Sequence, residues 1–164
     1  MLQLLQILRM LPVMSISKIM FPVLESNTHW FLIEVWVKER MIYVYDSLGH
    51  HHEEFITTLV GFLEEAGKSA FAGDWEKWET NYTMDDYIRQ VDEHSSGVLT
   101  SYYAWRLSNN RTLDYWNNTD TVETRTATKQ LRQDLMTSII SGKAKMKNMK
   151  SVVNKKPKKP RETK

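Results

Sequence analysis

Four side chains of this 164-residue sequence could together perform acyl-transfer chemistry: His29, Asp46, Gln90 and Ser96. His29 precedes one apolar segment and Asp46 follows the next, so they are predicted to meet at adjoining strand ends. An imidazole can act as a general base that an aspartate orients, and a hydroxyl can be its nucleophile. Ser96 begins a predicted helix, whose N-terminal N–H groups would stabilise an oxyanion together with the Gln90 amide.

His29, Asp46 and Ser96 each have an ordinary structural interpretation when taken alone. A His-Trp pair is more often packed or exposed than catalytic, and the sequence Tyr-Asp-Ser-Leu-Gly at 45–49 is an ordinary exit from a strand. Ser96 alone would be interpreted as a helix N-cap, which needs no chemistry. Only the ordered combination favours a catalytic role.

Apolar segments of strand length predict strands over 18–23, 31–37 and 41–45, and the less regular segment 74–80 is a further strand candidate of a small sheet. The segment 31–37 is apolar on both faces except at Glu34, as expected of a central strand, and it forms a hairpin with the strand that follows. In the segment 74–80, Trp75 and Trp78 are predicted to lie on opposite faces.

Apolar residues at helical spacing predict helices over 53–66, 96–110 and 123–141, and a surface helix within the first 14 residues. Gly67 is predicted to be the C-cap of the first of these. The helix 96–110 is apolar nearly all round, so it is expected in the interior. The last helix has apolar residues four apart, at Ala127, Leu131, Leu135 and Ile139. The predicted fold class is α+β, with a small mixed sheet packed by helices.

The charge of the chain is divided between a domain, 1–142, and a tail, 143–164. The tail holds ten basic residues and one acidic residue, a net charge of +9, whereas the domain has a net charge of −7. We expect the tail to be disordered, and its cluster at 155–161 predicts nuclear targeting or weak nucleic-acid contact. A merely solvated tail is the alternative. The sequence has no cysteine and no segment apolar enough to span a membrane, so we expect a nuclear or cytoplasmic protein.

Three consecutive histidines, His50, His51 and His52, raise the question of a metal site. Consecutive side chains do not all point one way, and no spaced acidic or cysteine ligands accompany them in the sequence. A solvated loop that enters a helix is therefore the preferred interpretation, and no metal or other cofactor is predicted.

Several motifs together resemble the ubiquitin-like protein proteases, which are SUMO- and NEDD8-processing cysteine peptidases of the Ulp/sentrin-specific class. That family has a histidine followed by tryptophan, then Tyr-Asp-Ser with a following glycine, then a glutamine six residues before the cysteine of Asp-Cys-Gly. This chain has His29-Trp30, the segment 45–49, Gln90 and the segment Ser95-Ser96-Gly97. The interval of 17 residues from His29 to Asp46 also fits, and the resemblance covers about residues 16–142.

The resemblance implies a cysteine-peptidase-like fold of the adenain/Ulp type, with the central helix starting at the nucleophile position. It also implies cleavage after the C-terminal glycine of a SUMO- or NEDD8-like modifier, without a cofactor. In that reaction His29 would be the general base, Asp46 its orienter, and Gln90 with the Ser96 N–H the oxyanion hole. Trp30 would line the channel for the glycine tail.

The chain departs from the family pattern where the chemistry is most demanding. Ser96 stands in place of the nucleophilic cysteine and Ser95 in place of the preceding aspartate. Only 28 residues precede His29, so we expect the domain 1–142 to be truncated at its N-terminal lobe. A hydroxyl ionises far less readily than a thiol, which predicts weak or absent hydrolysis. The alternatives are a catalytically inactive pseudo-peptidase that binds a ubiquitin-like protein, a transposon-derived relic, or an engineered Cys→Ser change.

Overall fold

The computed structural model describes residues 16–70, 77–82, 87–113 and 121–143, and it divides the chain into two compact units, 1–84 and 85–164. The described residues form four strands and three helices, which confirms the predicted α+β class. The predicted N-terminal helix, Trp75 and all of the basic tail beyond Lys143 lie outside the described residues. None of the described helices is long and apolar enough to cross a membrane.

The first unit contains a four-stranded mixed sheet formed by β1 (Lys18–Glu25), β2 (His29–Trp36), β3 (Met41–Tyr45) and β4 (Glu79–Tyr82), in that spatial order. The pairs β1–β2 and β2–β3 are antiparallel, and β3–β4 is parallel. Because β1 is an edge strand, it tolerates Pro22, which cannot donate to a ladder. The predicted hairpin is confirmed, whereas β4 begins at Glu79, later than the predicted segment 74–80.

The strand β2 is buried on both faces, as the sequence predicts. Phe31, Leu32 and Ile33 are fully buried, and so is the carboxylate of Glu34. Glu34 accepts a hydrogen bond from the Tyr45 hydroxyl at 3.1 Å and pairs with an ammonium group 3.5 Å away. A paired carboxylate can therefore occupy the centre of this sheet without an isolated charge.

The helix α1 (Glu53–Ala70) packs Ile56, Leu59 and Leu63 into the apolar core of the sheet. The prediction that Gly67 caps this helix is wrong, because Gly67 is buried inside it and the helix continues to Ala70. A glycine costs an interior helical position only about 1 kcal/mol relative to alanine, so packing can carry the helix past it.

The second unit contains α2 (Ser96–Ser108) and α3 (Thr121–Ser141), which pack against each other. Leu99, Tyr102 and Tyr103 are fully buried, which confirms the predicted interior character of α2. The Tyr103 hydroxyl donates to the carbonyl of Ile88 and so finds a partner in the interior.

The predicted apolar stripe of α3 is only partly buried. Ala127 and Leu131 are fully buried, but Ile139 is 72% exposed. Each step of four residues turns about 40° beyond a full helical turn, so the stripe rotates by about 120° from Ala127 to Ile139. The buried face instead includes Thr124, Thr128 and Asp134.

Candidate active site

His29 and Asp46 form a hydrogen-bonded pair at one end of the sheet of the first unit. His29 is the first residue of β2, and Asp46 directly follows β3. Since these strands are antiparallel, the start of one lies beside the end of the other. His29 Nε2 donates to Asp46 Oδ2 at 2.8 Å, and the two side chains are 13% and 1% exposed. The predicted base and orienter therefore meet, and Nδ1 is the ring nitrogen left to accept a proton.

The two oxygens of the Asp46 carboxylate have separate partners. Oδ1 accepts the backbone N–H of Leu48 at 2.5 Å and that of Gly49 at 3.0 Å. The turn requires a positive φ of 81° at Gly49, which a glycine adopts without a steric penalty. With Oδ1 held by the backbone, Oδ2 faces the imidazoles.

A second imidazole, that of His52, also donates to Asp46 Oδ2, through its Nε2. Its Nδ1 donates to Glu25 Oε1 at 3.1 Å, and its ring stacks on Phe31 with centroids 3.7 Å apart. The side chain is only 2% exposed, so the predicted solvated loop is wrong at this position. The backbone of His52 has φ 52°, in the left-handed region, immediately before α1.

The three consecutive histidines have three different environments. The ring of His51 stacks on Tyr82 with centroids 4.5 Å apart, whereas the exposed His50 has Nδ1 4.0 Å from Asp46 Oδ2. The sequence correctly predicts that the three do not point one way. However, a carboxylate does accompany the run, that of Asp46, which lies four residues before His50.

Hydrogen bonds shift the pKa values of Asp46 and His52. Burial alone would raise the pKa of Asp46, but the hydrogen bonds from His52, from the Leu48 N–H and from His29 outweigh it and lower the pKa to about 2. Burial acts to lower the pKa of His52, but its hydrogen bonds to Asp46 and Glu25 raise it above its ordinary value. Asp46 is therefore ionised at neutral pH and can stabilise a positively charged imidazole.

Trp30, the predicted channel residue, is 37% exposed beside His29 on β2. It pairs in register with Leu24 of β1, which is also exposed at 42%. The two form exposed apolar surface next to the histidine, a property that suits contact with an extended peptide.

Ser96 is the first residue of α2 and is 3% exposed. The N-cap position belongs to Ser95, so the interpretation of Ser96 as an N-cap is wrong. The Ser95 hydroxyl does not cap the helix but donates to Asp92 Oδ2 at 2.6 Å and accepts from Arg132 Nη2 at 3.2 Å. Arg132 also donates to the carbonyl of His94 at 2.7 Å, which ties the turn before α2 to α3.

Gln90, the predicted oxyanion donor, lies in the same turn and is 9% exposed. Its Nε2 donates to the carbonyl of Asp92 at 2.7 Å, so the amide is positioned by the backbone. Ser96 and Gln90 belong to the second unit, whereas His29, Trp30 and Asp46 belong to the first. The predicted contact between His29 and Ser96 stays a prediction.

Sequence comparison adds an independent observation. The family model for the Ulp1 protease family, C-terminal catalytic domain, matches residues 7–139. The chain belongs to the Ulp1 protease family. The predicted resemblance is thereby confirmed, and none of the curated protein sequences compared matches this Ulp1-family chain.

Solved structures show that the Ulp1-family chain has the fold of that family. It is similar to the SUMO protease Ulp1 with its catalytic cysteine oxidised to a sulfenic acid, at 20% identity and a TM-score of 0.50, over 74% of this chain and 55% of that chain. It is also similar to the sulfinic acid form of SUMO protease Ulp1, at 18% identity and a TM-score of 0.55, over 81% of this chain and 60% of that one. The Ulp1-family chain thus spans a little over half the length of the structures it matches.

Proposed function

We propose that this chain binds the C-terminal glycine tail of a SUMO-type modifier and, with Ser96 at the nucleophile position, hydrolyses the following bond slowly or not at all. The observation that carries the proposal is the 2.8 Å contact between His29 and a backbone-held Asp46. A general base in acyl transfer needs a carboxylate that fixes its orientation and stabilises its protonated form. Asp46 suits this role because the backbone holds one of its oxygens and because it is ionised at neutral pH. The family supports a modifier of the ubiquitin-like class as the partner.

In the proposed site each residue acts through a stated atom. His29 Nδ1 would accept the proton of the nucleophile while Asp46 Oδ2 stabilises the resulting imidazolium. The backbone N–H of Ser96, at the N-terminal end of α2, would donate to the oxyanion with the amide of Gln90. Trp30, exposed beside His29, would contact the glycine tail.

The serine at position 96 limits the rate in this proposal. A cysteine peptidase attacks through a thiolate that an adjacent imidazolium stabilises, and the thiol ionises near neutral pH. A serine hydroxyl must instead lose its proton during the attack, so catalysis depends fully on the placement of the base. A shorter C–O bond also moves the attacking atom away from a position suited to sulfur.

A second candidate function is binding of the modifier without hydrolysis. The observation that favours it is the absence of cysteine from the whole sequence, which leaves Ser96 as the only nucleophile at the family position. The two candidates share the recognition surface and differ only in turnover.

The test compares the unmodified chain with Ser96→Ala and Ser96→Cys. A fluorogenic SUMO C-terminal substrate measures hydrolysis, an electrophilic SUMO probe measures covalent labelling, and calorimetry with free SUMO measures binding; NEDD8 reagents form the parallel arm. We expect binding by all three proteins, labelling only of Ser96→Cys, and little or no hydrolysis by the unmodified chain. Fast hydrolysis that Ser96→Ala abolishes would show an efficient serine hydrolase and overturn the proposed role of Ser96.

Three further variants in the Ser96→Cys background, one of them a control, test the remaining roles. His29→Ala should abolish labelling, and His94→Ala, a matched change of an exposed histidine, should not. Gln90→Ala should slow labelling by about 10²–10³-fold if its amide stabilises the oxyanion. Labelling that is indifferent to His29→Ala would show that His29 is not the base.

A further inference from the structure

We infer that His29, Asp46, His50 and His52 form a binding site for a divalent transition-metal ion such as Zn²⁺. One ligand atom from each residue lies within 4.8 Å of all the others. A tetrahedral zinc ion with nitrogen and oxygen ligands holds its ligand atoms roughly 3.3–3.6 Å apart. The separations of 2.8 Å from His29 Nε2 to Asp46 Oδ2 and 4.0 Å from His50 Nδ1 to the same oxygen lie on either side of this range.

The arrangement exceeds what an acid–base pair requires. A catalytic imidazole needs one carboxylate oxygen, but here Asp46 Oδ2 has three imidazoles around it. His29 and His52 donate to it, and His50 Nδ1 is 4.0 Å away. The N–H groups of His29 and His52 point at this oxygen, and a bound metal ion would replace those two hydrogens and accept lone pairs from the same nitrogens and oxygen.

Two of the four ligands are already oriented by outer partners. Glu25 Oε1 accepts the Nδ1 hydrogen of His52 at 3.1 Å, which directs Nε2 toward the cluster, and the ring is held by its stack on Phe31. Backbone N–H groups hold Asp46 through Oδ1. Carboxylate–histidine–metal arrangements of this kind are typical of zinc sites, where the outer partner fixes the tautomer and the ring orientation.

The surroundings also favour a cation. Glu25, Glu53 and Glu54 line an open pocket that borders His52, so the local field attracts positive ions. Imidazole ligands select zinc, copper, nickel or cobalt over magnesium and calcium, which prefer oxygen. The site class is therefore a three-histidine, one-carboxylate site for a borderline transition metal.

An ion at this position would occupy His29 Nε2 and Asp46 Oδ2, the atoms that form the proposed base and orienter. An imidazole that holds a metal through Nε2 is a poor proton acceptor at Nδ1. Metal binding and general-base catalysis would thus exclude each other; this consequence rests on the proposed function, whereas metal binding itself does not.

The experiment uses the full chain after removal of metal with a chelator. Zn²⁺ is titrated in competition with a chromophoric chelator, and Co²⁺ uptake is followed by its visible absorption, which is intense for tetrahedral coordination. We expect one ion per chain and a tetrahedral cobalt spectrum. His50→Ala, at an exposed ring, should weaken zinc binding at least about tenfold.

The matched control is His51→Phe, which changes a neighbouring histidine and keeps the stack on Tyr82. It should leave the zinc affinity within about twofold of the unmodified chain, because His51 is not one of the four proposed ligands. His52→Gln should weaken zinc binding at least as much as His50→Ala does. Circular dichroism shows whether the His52→Gln variant folds, and if it does not fold, His50→Ala is the deciding variant. Absence of saturable binding, or an equal loss in His51→Phe and His50→Ala, would overturn the inference and show adventitious contact with a histidine run.

Discussion

The imidazole rings of His29 and His52 lie nearly parallel, with centroids 6.2 Å apart, and both donate through Nε2 to Asp46 Oδ2. His29 is the histidine that the family pattern singles out, whereas His52 is the more deeply buried of the two. The orientation of the proposed base therefore depends on a second histidine that shares its carboxylate.

His52→Phe should lower the free energy of unfolding by about 1–3 kcal/mol in metal-free protein, because a buried carboxylate loses one of its donors. The phenyl ring keeps the stack on Phe31, so the change isolates the polar contacts from packing. Urea denaturation measures the difference, and His51→Phe is the control. Equal stabilities of the two variants would show that the His52–Asp46 contact contributes nothing.

The contact between Ser95 and Asp92 predicts what the aspartate of the family pattern would do at position 95. Asp at position 95, the residue the family carries there, would place a second carboxylate beside Asp92 and remove the Ser95 donor. Ser95→Asp should therefore destabilise the protein by about 1–3 kcal/mol, with Arg132 offsetting part of the repulsion.

The double variant Asp92→Asn, Ser95→Asp reverses the roles of donor and acceptor and should recover most of the lost stability. Thermal unfolding of the unmodified chain, Asp92→Asn, Ser95→Asp and the double variant measures the coupling. Additive effects of the two changes would show that positions 92 and 95 do not interact.

Asp92 also predicts a pH dependence. Burial would raise the pKa of Asp92, but hydrogen bonds from Ser95 and the His94 N–H, with the charge of Arg132, lower it. A lowered folded-state pKa contributes stability above the unfolded value, near about 4, and that contribution is lost as the pH falls through the folded value. The stability difference between the unmodified chain and Asp92→Asn should be constant from about pH 5 to 7 and shrink below about 4. A difference that is independent of pH down to acid unfolding would contradict this.

The sequence predicts the His29–Asp46 pair because a tight hairpin leaves little freedom. Once two antiparallel strands are joined by a short turn, the residues at their open end are neighbours whatever the rest of the chain does. Hairpin geometry does not predict the position of His52, because this residue contacts Glu25, 27 residues away in sequence, and has a left-handed backbone conformation. Neither the register of β1 nor that backbone angle is visible in a run of three histidines.

Helix ends and helix faces were less predictable than strand pairing. Gly67 stands where a helix commonly ends, but burial of the helix against the sheet outweighs the local preference of one glycine. On α3 the four-residue repeat indicates a helix correctly, yet which residues are buried depends on how α2 packs against it. Tertiary contacts decide where α1 ends and which face of α3 is buried, and local patterns in a single sequence do not predict those contacts.

The basic tail at 143–164 supports a prediction about localisation. The tail has a net charge of +9, and five of its ten basic residues are clustered at 155–161, a pattern typical of nuclear import signals. A fluorescent fusion of the full chain should concentrate in nuclei, and a fusion that lacks residues 143–164 should distribute through the cell. Replacing the five Lys/Arg residues of 155–161 by glutamine tests charge at constant length. Unchanged localisation of both altered fusions would assign the tail no targeting role.

Glu25 provides the most specific test of the metal site, because it contacts no ion itself. Its carboxylate is 46% exposed and accepts from His52 Nδ1, so its removal should leave the fold intact but take away the contact that fixes the tautomer of His52. Glu25→Ala should weaken zinc binding by about 10–100-fold, the usual effect of losing an outer partner of a histidine ligand. Glu25→Gln retains an acceptor oxygen and should weaken zinc binding less.

Competition titration measures the zinc affinities of both variants. Glu54→Ala, a change of a neighbouring pocket carboxylate, is the electrostatic control. If Glu54→Ala lowers the affinity as much as Glu25→Ala, the effect is one of general charge, and the oriented contact between Glu25 and His52 has no part in binding the ion.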